Sequence, residues 1–235
     1  MRAAKGLPSF RAEIVQSLLK RALVRQAGRD YGEAFQIVHF SIQTDHLHLV
    51  AEARAPDPAA VARSPRLLSK RAKRGLETKE RDMLRRGIAG FAISFARQLN
   101  KLLNRKGKVW GDRHHRRDLA TPTEVRNTLR YVFQNVRRHG ARAFGPALDA
   151  YSTAMTFGGW SERTAPSSET EPWRPPPRTW LLSRGWLRGG GPLSPYHGPP
   201  LSPHARVAPA ARDYTPYKIE RNVSHARLRE LGFLE

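Results

Sequence analysis

Two histidines in the first quarter of the chain have a spacing that suits metal binding. His46 and His48 are separated by one residue, so in a strand they point to the same face, roughly 6.5 Å apart along the chain. Two neutral imidazoles in that relation can share one metal ion. The alternative that both are ordinary polar residues of a half-exposed face stays open, because the remaining ligands would have to come from oxygen or amide groups elsewhere.

A tyrosine further along the chain lies off the apolar stripe of its helix. At about 100° per residue, the apolar side chains fall within an arc of roughly 100°, and Tyr131 lies about 145° from its centre. The apolar residues are Val125, Leu129, Val132, Phe133 and Val136. Core packing is the usual role of a helix tyrosine, but this position on the polar flank argues against it. Asn135 stands one turn beyond on the same side and could supply a metal ligand, with Gln134 as the second choice.

A tyrosine beside a metal suits the cleavage of a phosphodiester. The phenol oxygen can attack phosphorus in line and keep the bond energy as a phosphotyrosine, so that rejoining needs no external energy source. A metal would polarise the phosphate and stabilise the leaving 3′ oxygen. Basic side chains around the tyrosine helix would neutralise backbone phosphates. They are Lys108, Arg113, Arg116, Arg117, Arg137 and Arg138. For His114 and His115 a structural or phosphate-contacting role is favoured over catalysis.

The composition of the chain also favours a nucleic-acid partner. Lys and Arg number 42 against 20 Asp and Glu, giving a formal charge of +22, which favours a polyanionic partner. A protein that merely coats nucleic acid would have the same charge. No apolar run approaches the roughly 18 residues of a membrane helix, so nucleic acid fits better than membrane. The absence of cysteine excludes disulfides, thiolate zinc sites and cysteine nucleophiles.

Hydrophobic periodicity predicts the elements that position these residues. Their order is helix 12–26, strands 35–42 and 46–53 joined by a turn, helix 88–103, strand 108–119, and a helix from Thr121 to about His139. The stripe of the second helix comprises Phe91, Phe95, Leu99 and Leu102. A basic insertion is expected at about 64–86. This order predicts an α+β fold with an antiparallel sheet, split-βαβ in character.

The composition changes near residue 156. Of the 18 prolines, 12 lie beyond that point, mixed with Gly, Ser and Arg, in a segment with few contiguous apolar residues. We therefore expect a domain at 1–155 and a partly disordered tail at 156–235. Four of the five tryptophans lie in the tail, so parts of it are expected to contact the domain or nucleic acid.

These motifs together resemble a known family. The strand Asp45-His-Leu-His-Leu49 resembles the HUH motif, histidine–hydrophobic–histidine. The segment 130–137 resembles the one that carries the single catalytic tyrosine in transposases of the insertion-sequence-200-like class, and a similar Tyr-x-x-x-Asn spacing is found in the REP-associated tyrosine transposases. The segment 107–113 resembles the family's strand before the tyrosine helix. The resemblance covers roughly residues 5–140, with three motifs in the family's order.

The resemblance implies a ferredoxin-like domain that depends on Mg²⁺ or Mn²⁺. It implies that such a protein cleaves and rejoins single-stranded DNA near a hairpin during DNA transposition, through a 5′-phosphotyrosine and a free 3′-hydroxyl. In family terms His46, His48 and Asn135 bind the metal and Tyr131 is the nucleophile. The resemblance also implies a homodimer, in which the tyrosine helix can approach the histidines of the partner. A cytoplasmic, nucleoid-associated protein is expected.

Two departures from the family pattern leave other functions open. The family begins with a strand before its first helix, whereas segment 1–10 looks like the loop after it, so the first strand is expected to be missing, through an upstream start or decay of the copy. The basic insertion is longer than expected, and we interpret it as a solvated arm. One alternative is an inactive relative that only binds single-stranded or hairpin nucleic acid. Another is a metal-dependent nuclease that does not use Tyr131.

Overall fold

A computed structural model of the chain describes residues 1–27, 35–53, 76–135, 148–162 and 175–196, and it has an α+β architecture. The elements are α1 (Glu13–Ala27), β1 (Phe35–Ile42), β2 (Leu47–Ala53), α2 (Leu76–Leu102), α3 (Pro122–Gln134), α4 (Trp180–Ser183) and a 3₁₀ helix (Gly185–Gly189). β1 and β2 form an antiparallel hairpin. The α+β class and the hairpin predicted from the sequence are therefore confirmed. No helix in the described ranges is both long and apolar enough to span a membrane.

Short extended segments widen the hairpin on both edges. Isolated antiparallel bridges join Arg2 to His46, Ala3 to Trp110 and Ser41 to Ser152. The backbone N–H of Ala3 donates to the carbonyl of Asp45 at 2.6 Å, and that of Ala4 donates to Val109 at 2.8 Å. No regular strand precedes α1 in the described residues, but residues 1–4 lie between the start of β2 and residues 109–111. They thereby satisfy backbone groups at the edge that holds His46.

The strand predicted over 108–119 is wrong. These residues form no regular strand, and their only bridge in the described part of the chain is that of Trp110. Val109 is buried, but residues 111–118 are all exposed and largely charged. A strand needs one face to bury, and this segment has no apolar side chains to supply it. It crosses the open side of the hairpin as an irregular basic loop.

One face of the hairpin packs on α1 and α2. Phe10, Leu19, Phe35, Phe95 and Leu99 are at most 1% exposed in this first core. The predicted stripe of the second helix (Phe91, Phe95, Leu99 and Leu102) is buried throughout. α2 begins at Leu76, inside the predicted basic insertion, so residues 76–86 continue the same helix; residues 64–75 lie outside the described ranges.

The opposite face of the hairpin packs on α3 and on part of the predicted tail. Trp186 is buried in this second core with Leu182 and Leu193, against Val38 of β1 and Leu129 of α3. Residues on both sides of position 155 thus contribute to the same core. The expectation that tail tryptophans contact the domain is confirmed for Trp186. Most of the remaining tail lies outside the described residues.

A complete capping box fixes the start of α3. The hydroxyl of Thr121 accepts from the backbone N–H of Glu124 at 3.2 Å, and the Glu124 carboxylate accepts from the backbone N–H of Thr121 at 3.2 Å. Pro122 occupies the first helical position. The helix ends at Gln134 with Asn135 as its C-cap; residues 136–140, which the sequence assigned to the helix and its stop, lie outside the described ranges.

Candidate functional site

The two histidines of β2 converge on one point. Leu47 and Leu49 pack toward the first core, so the strand alternation turns His46 and His48 to the other face. Their Nε2 atoms lie 3.0 Å apart, and their rings meet edge to face with centroids 4.8 Å apart. The sheet therefore aims two imidazole nitrogens at the same small volume.

Asp45 determines the tautomer of the first histidine. Its carboxylate accepts a hydrogen bond from Nδ1 of His46 at 2.6 Å. Burial alone would raise the pKa of Asp45, but the hydrogen bond from His46 and the charges of His46 and Arg2 hold that pKa below its ordinary value. When the ring is neutral and its proton is on Nδ1, the Nε2 atom of His46 presents a lone pair. A carboxylate on the far nitrogen of a histidine is a common second contact in metal sites.

The histidine geometry fits two neighbouring ligands of an octahedral ion. Two nitrogens at about 2.1 Å from a metal and at 90° to each other are about 3.0 Å apart, whereas tetrahedral ligands are about 3.4 Å apart. The observed Nε2–Nε2 distance of 3.0 Å is that of a hydrogen bond between the two rings and is also compatible with the first value. Within the described ranges, no group of three His, Cys, Asp or Glu side chains could hold a metal ion. A metal here would take its other ligands from water, phosphate or amide oxygens.

Tyr131 lies directly against the second histidine. Its ring meets that of His48 edge to face, with centroids 5.0 Å apart and planes at 84°. The side chain is half-buried and packs at the margin of the second core. The core stripe predicted for its helix is confirmed at four positions, since Val125, Leu129, Val132 and Phe133 are buried. The phenol thus lies between the core and the open cleft rather than on a solvent-facing flank.

The two amides that follow Tyr131 are buried. Asn135 is 1% exposed, and neither atom of its amide has a hydrogen-bond partner in the described part of the chain. It is not among the residues that line the cleft around His48. Gln134 turns the other way and donates to the carbonyl of Ser194 at 2.6 Å. Asn135 as a metal ligand stays a prediction, while Gln134 anchors the tail segment.

A large open cleft surrounds the histidines and the tyrosine. Its volume is about 1450 Å³, beyond the roughly 300–1,000 Å³ of small-molecule pockets, which suits a polymer. Basic residues of its lining include Arg2, Arg81, Arg113, Arg116 and Arg117, with His114 and His115 beside them. Three of the predicted phosphate-contacting arginines therefore lie at the site. Lys108 is exposed but outside the cleft lining, and Arg137 and Arg138 lie outside the described residues.

Exposed ion pairs hold two of these arginines in place. Arg116 donates to Asp118 at 2.7 and 2.9 Å, and Arg117 donates to Glu124 at 3.0 Å. Such pairs contribute little at a surface, roughly 0–1 kcal/mol, so a phosphate can displace the carboxylate. Burial, the amino terminus and Arg116 lower the pKa of His114, which favours its neutral form.

Sequence reasoning missed Asp45 and Glu52. Asp45 was quoted only as the first residue of the histidine motif and was given no role, although a carboxylate just before a histidine pair is a usable signal for a second contact of a metal-binding histidine. Glu52 is buried beside the cleft and accepts hydrogen bonds from Gln36 and from the backbone N–H groups of Arg178 and Thr179. The contacts of Glu52 with Arg178 and Thr179 could not be inferred, because these residues lie 126 and 127 positions away in the sequence. Comparison with protein-family models, curated proteins and solved structures finds no match to the chain.

Proposed function

We propose that this protein is a metal-dependent, tyrosine-using strand transferase that cleaves and rejoins single-stranded, hairpin-associated DNA, as a transposase does. The observation that carries the proposal is the meeting of Tyr131 with the converging His46 and His48 in one basic cleft. The motif resemblance supports the same function and a ferredoxin-like fold. The basic residues of the cleft support a polyanionic substrate, and the choice of single-stranded DNA rests on the motif resemblance.

Tyr131 supplies the nucleophile. Its oxygen forms a bond to phosphorus and gives up its proton, while the bond from phosphorus to the 3′ oxygen breaks and that oxygen takes up a proton. The product is a 5′-phosphotyrosine with a free 3′-hydroxyl. Reversal by another 3′-hydroxyl rejoins the strand without an external energy source.

The histidines and arginines hold the reacting groups. His46 and His48 would hold Mg²⁺ or Mn²⁺, with Asp45 fixing the ring of His46 and Asn135 as a further candidate ligand. When bound, the ion supplies charge stabilisation at the scissile phosphate. Arg113, Arg116 and Arg117 neutralise neighbouring phosphates and set the path of the strand.

One observation favours a second candidate function. Asn135 is not in the cleft lining, and the described residues contain no group of three His, Cys, Asp or Glu side chains that could hold a metal ion. A protein with the same basic cleft but an incomplete metal site would bind single-stranded or hairpin DNA without cutting it. The two candidate functions differ only in whether the protein cleaves DNA and forms a covalent bond to it.

A covalent-adduct assay distinguishes the candidates. Purified protein is incubated with an end-labelled single-stranded hairpin DNA and Mn²⁺, and the products are separated by denaturing electrophoresis. The strand transferase gives a protein-linked band that disappears with Tyr131→Phe and with chelation of the metal. Tyr151→Phe is the matched control, because this half-buried tyrosine packs on Arg11 away from the cleft lining.

Other outcomes contradict the proposal. Binding of the hairpin with no adduct in the wild type identifies the binding-only protein. Cleavage that survives Tyr131→Phe but is lost with His48→Ala identifies a hydrolytic nuclease. An adduct that is equally strong in Tyr131→Phe assigns the nucleophile to another residue.

A further inference from the structure

An exposed tryptophan lies in an arginine-rich segment whose neighbouring residues line the cleft. Trp180 is 43% exposed, a large fraction for an indole. Arg178, Arg184 and Arg188 of the same segment are exposed, and the guanidinium carbon of Arg188 lies 5.2 Å from the centre of the indole. Its neighbours Thr179 and Leu181 line the same cleft as Tyr131. The chain on either side of Trp180 therefore reaches the candidate site.

The segment that carries Trp180 is anchored to the rest of the fold. Leu182 and Trp186 are buried in the second core, on the side of this segment away from Trp180 and Arg184. The Thr179 side chain caps α4 by accepting from the backbone N–H of Leu182 at 3.3 Å. Glu52 binds the backbone N–H groups of Arg178 and Thr179, each at 2.9 Å. An indole on such a support loses little conformational freedom when a ligand stacks on it.

The absence of a side chain at Gly185 allows the Trp180 ring to pack against the backbone. A side-chain carbon at Gly185 would lie 2.7 Å from the Trp180 ring, closer than carbon atoms approach each other. The ring therefore packs against bare backbone at this position. Its remaining exposed surface is presented to solvent.

We propose that Trp180, with Arg184 and Arg188, is a stacking site for one base of single-stranded DNA that passes along the cleft. Every base has a π face that stacks on an indole, and flanking guanidinium groups neutralise the phosphates on either side. A surface partner carrying positive charge would be repelled by the three arginines. The proposal rests on the proposed function in its choice of DNA as the partner, but it does not require cleavage.

Equilibrium binding without metal tests the stacking site. Fluorescence anisotropy measures the Kd of a labelled oligothymidylate of about 12 nucleotides for the full-length protein in EDTA. A second oligonucleotide of the same length carries abasic sites in place of the bases. We expect Trp180→Ala to weaken oligothymidylate binding by about 5- to 100-fold and to leave abasic binding nearly unchanged, since only the base stacks on the indole. Trp180→Phe keeps most of the affinity.

Tyr196→Ala is the matched control. This tyrosine is 41% exposed in the same part of the chain, but it is hydrogen-bonded to Glu162, whose charge disfavours phosphate. We expect its substitution to leave both affinities unchanged. Wild-type binding of oligothymidylate by Trp180→Ala, or an equal loss on both oligonucleotides, overturns the stacking site. Because nothing is cleaved in EDTA, failure of the tyrosine chemistry leaves this result intact, and failure of stacking leaves the adduct assay intact.

Discussion

The proton on the first histidine decides whether the pair can accept a metal. In neutral His46, Asp45 holds it on Nδ1 at 2.6 Å, so Nε2 carries a lone pair that a metal would take in place of the hydrogen bond to Nε2 of His48. Loss of such a second contact lowers metal affinity by about 10- to 100-fold in other sites. We expect Asp45→Ala to weaken Mn²⁺ binding by a similar factor, as measured by isothermal titration calorimetry.

A neighbouring carboxylate provides the control for Asp45. Asp112 is exposed and lines the same cleft, but in the described part of the chain it accepts no hydrogen bond from His46 or His48. Asp112→Ala should therefore leave Mn²⁺ affinity nearly unchanged. Equal losses in the two variants would show that general negative charge, not orientation of His46, governs binding.

At the residue scale, the sequence predicted which side chains meet but not all of their surroundings. Period-two alternation was enough to bring His46 and His48 together, and helical periodicity was enough to separate Tyr131 from its core stripe. The burial of Asn135 could not be predicted, because it depends on how the end of α3 packs. Its role as a metal ligand stays a prediction.

The start of the tyrosine helix depends on an ionised carboxylate. Hydrogen bonds from the backbone of Ala120, from Arg117 and from the backbone of Thr121 lower the pKa of Glu124 to about 2. Because the folded-state pKa lies below the unfolded value of about 4.3, the carboxylate stabilises the fold above pH 4–5, and this contribution is lost as the pH falls toward about 2.

A substitution makes that pH dependence measurable. We expect Glu124→Gln to melt at a lower temperature than the wild type at pH 7, and the difference to shrink as the pH is lowered to about 3. Differential scanning calorimetry at several pH values measures both melting temperatures. A difference that stays constant with pH would contradict the role given to the ionised carboxylate.

The histidines and the tyrosine lie together within a single chain. Trp186 packs on α3, and Arg126 of α3 donates to the carbonyl of Gly191 at 2.8 Å, so the chain's own tail segment holds the helix against β1. If the proposed chemistry occurs in this arrangement, a mixture of His48→Ala and Tyr131→Phe proteins should form no covalent adduct. Recovery of the adduct in the mixture would show that the tyrosine acts on the histidines of a partner, as the family resemblance implied.

At the element scale, segments with a strong apolar periodicity were predicted correctly, whereas the strand predicted in a charged segment was wrong. α1, the hairpin and the core stripes of α2 and α3 follow from apolar spacing. The strand expected over 108–119 was wrong because alternation there involves exposed charges, which no packing partner fixes. The 3₁₀ helix and α4 were not predicted, because the burial of their few apolar residues depends on packing in the second core, which the sequence alone does not reveal.

A buried ion pair joins distant parts of the whole molecule. Arg11 donates to Asp149 at 3.0 and 2.7 Å and also lies 4.1 Å over the Tyr151 ring, while the Asp149 side chain is only 1% exposed. Removing the arginine leaves a buried carboxylate without its counter-charge. We expect Arg11→Met to lower the free energy of unfolding by about 3–5 kcal/mol, measured by urea denaturation.

An exposed pair elsewhere in the molecule provides the comparison. Arg85 lies 3.4 Å from Asp82 with 63% of its side chain exposed. Arg85→Met should cost less than about 1 kcal/mol. Similar losses for the two variants would contradict the importance given to the buried pair between the start of the chain and residue 149.

The central claim is that Tyr131 becomes covalently attached to DNA, and mass spectrometry tests it most directly. Trypsin cleaves after Arg130 and Arg137, releasing a peptide with the sequence Tyr-Val-Phe-Gln-Asn-Val-Arg, whose only hydroxyl side chain is that of Tyr131. After reaction with hairpin DNA and Mn²⁺ and nuclease trimming, we predict this peptide with the mass of a residual nucleotide added through phosphate. A residual nucleotide on a different peptide, or unmodified peptide alone despite cleaved DNA, would contradict the account.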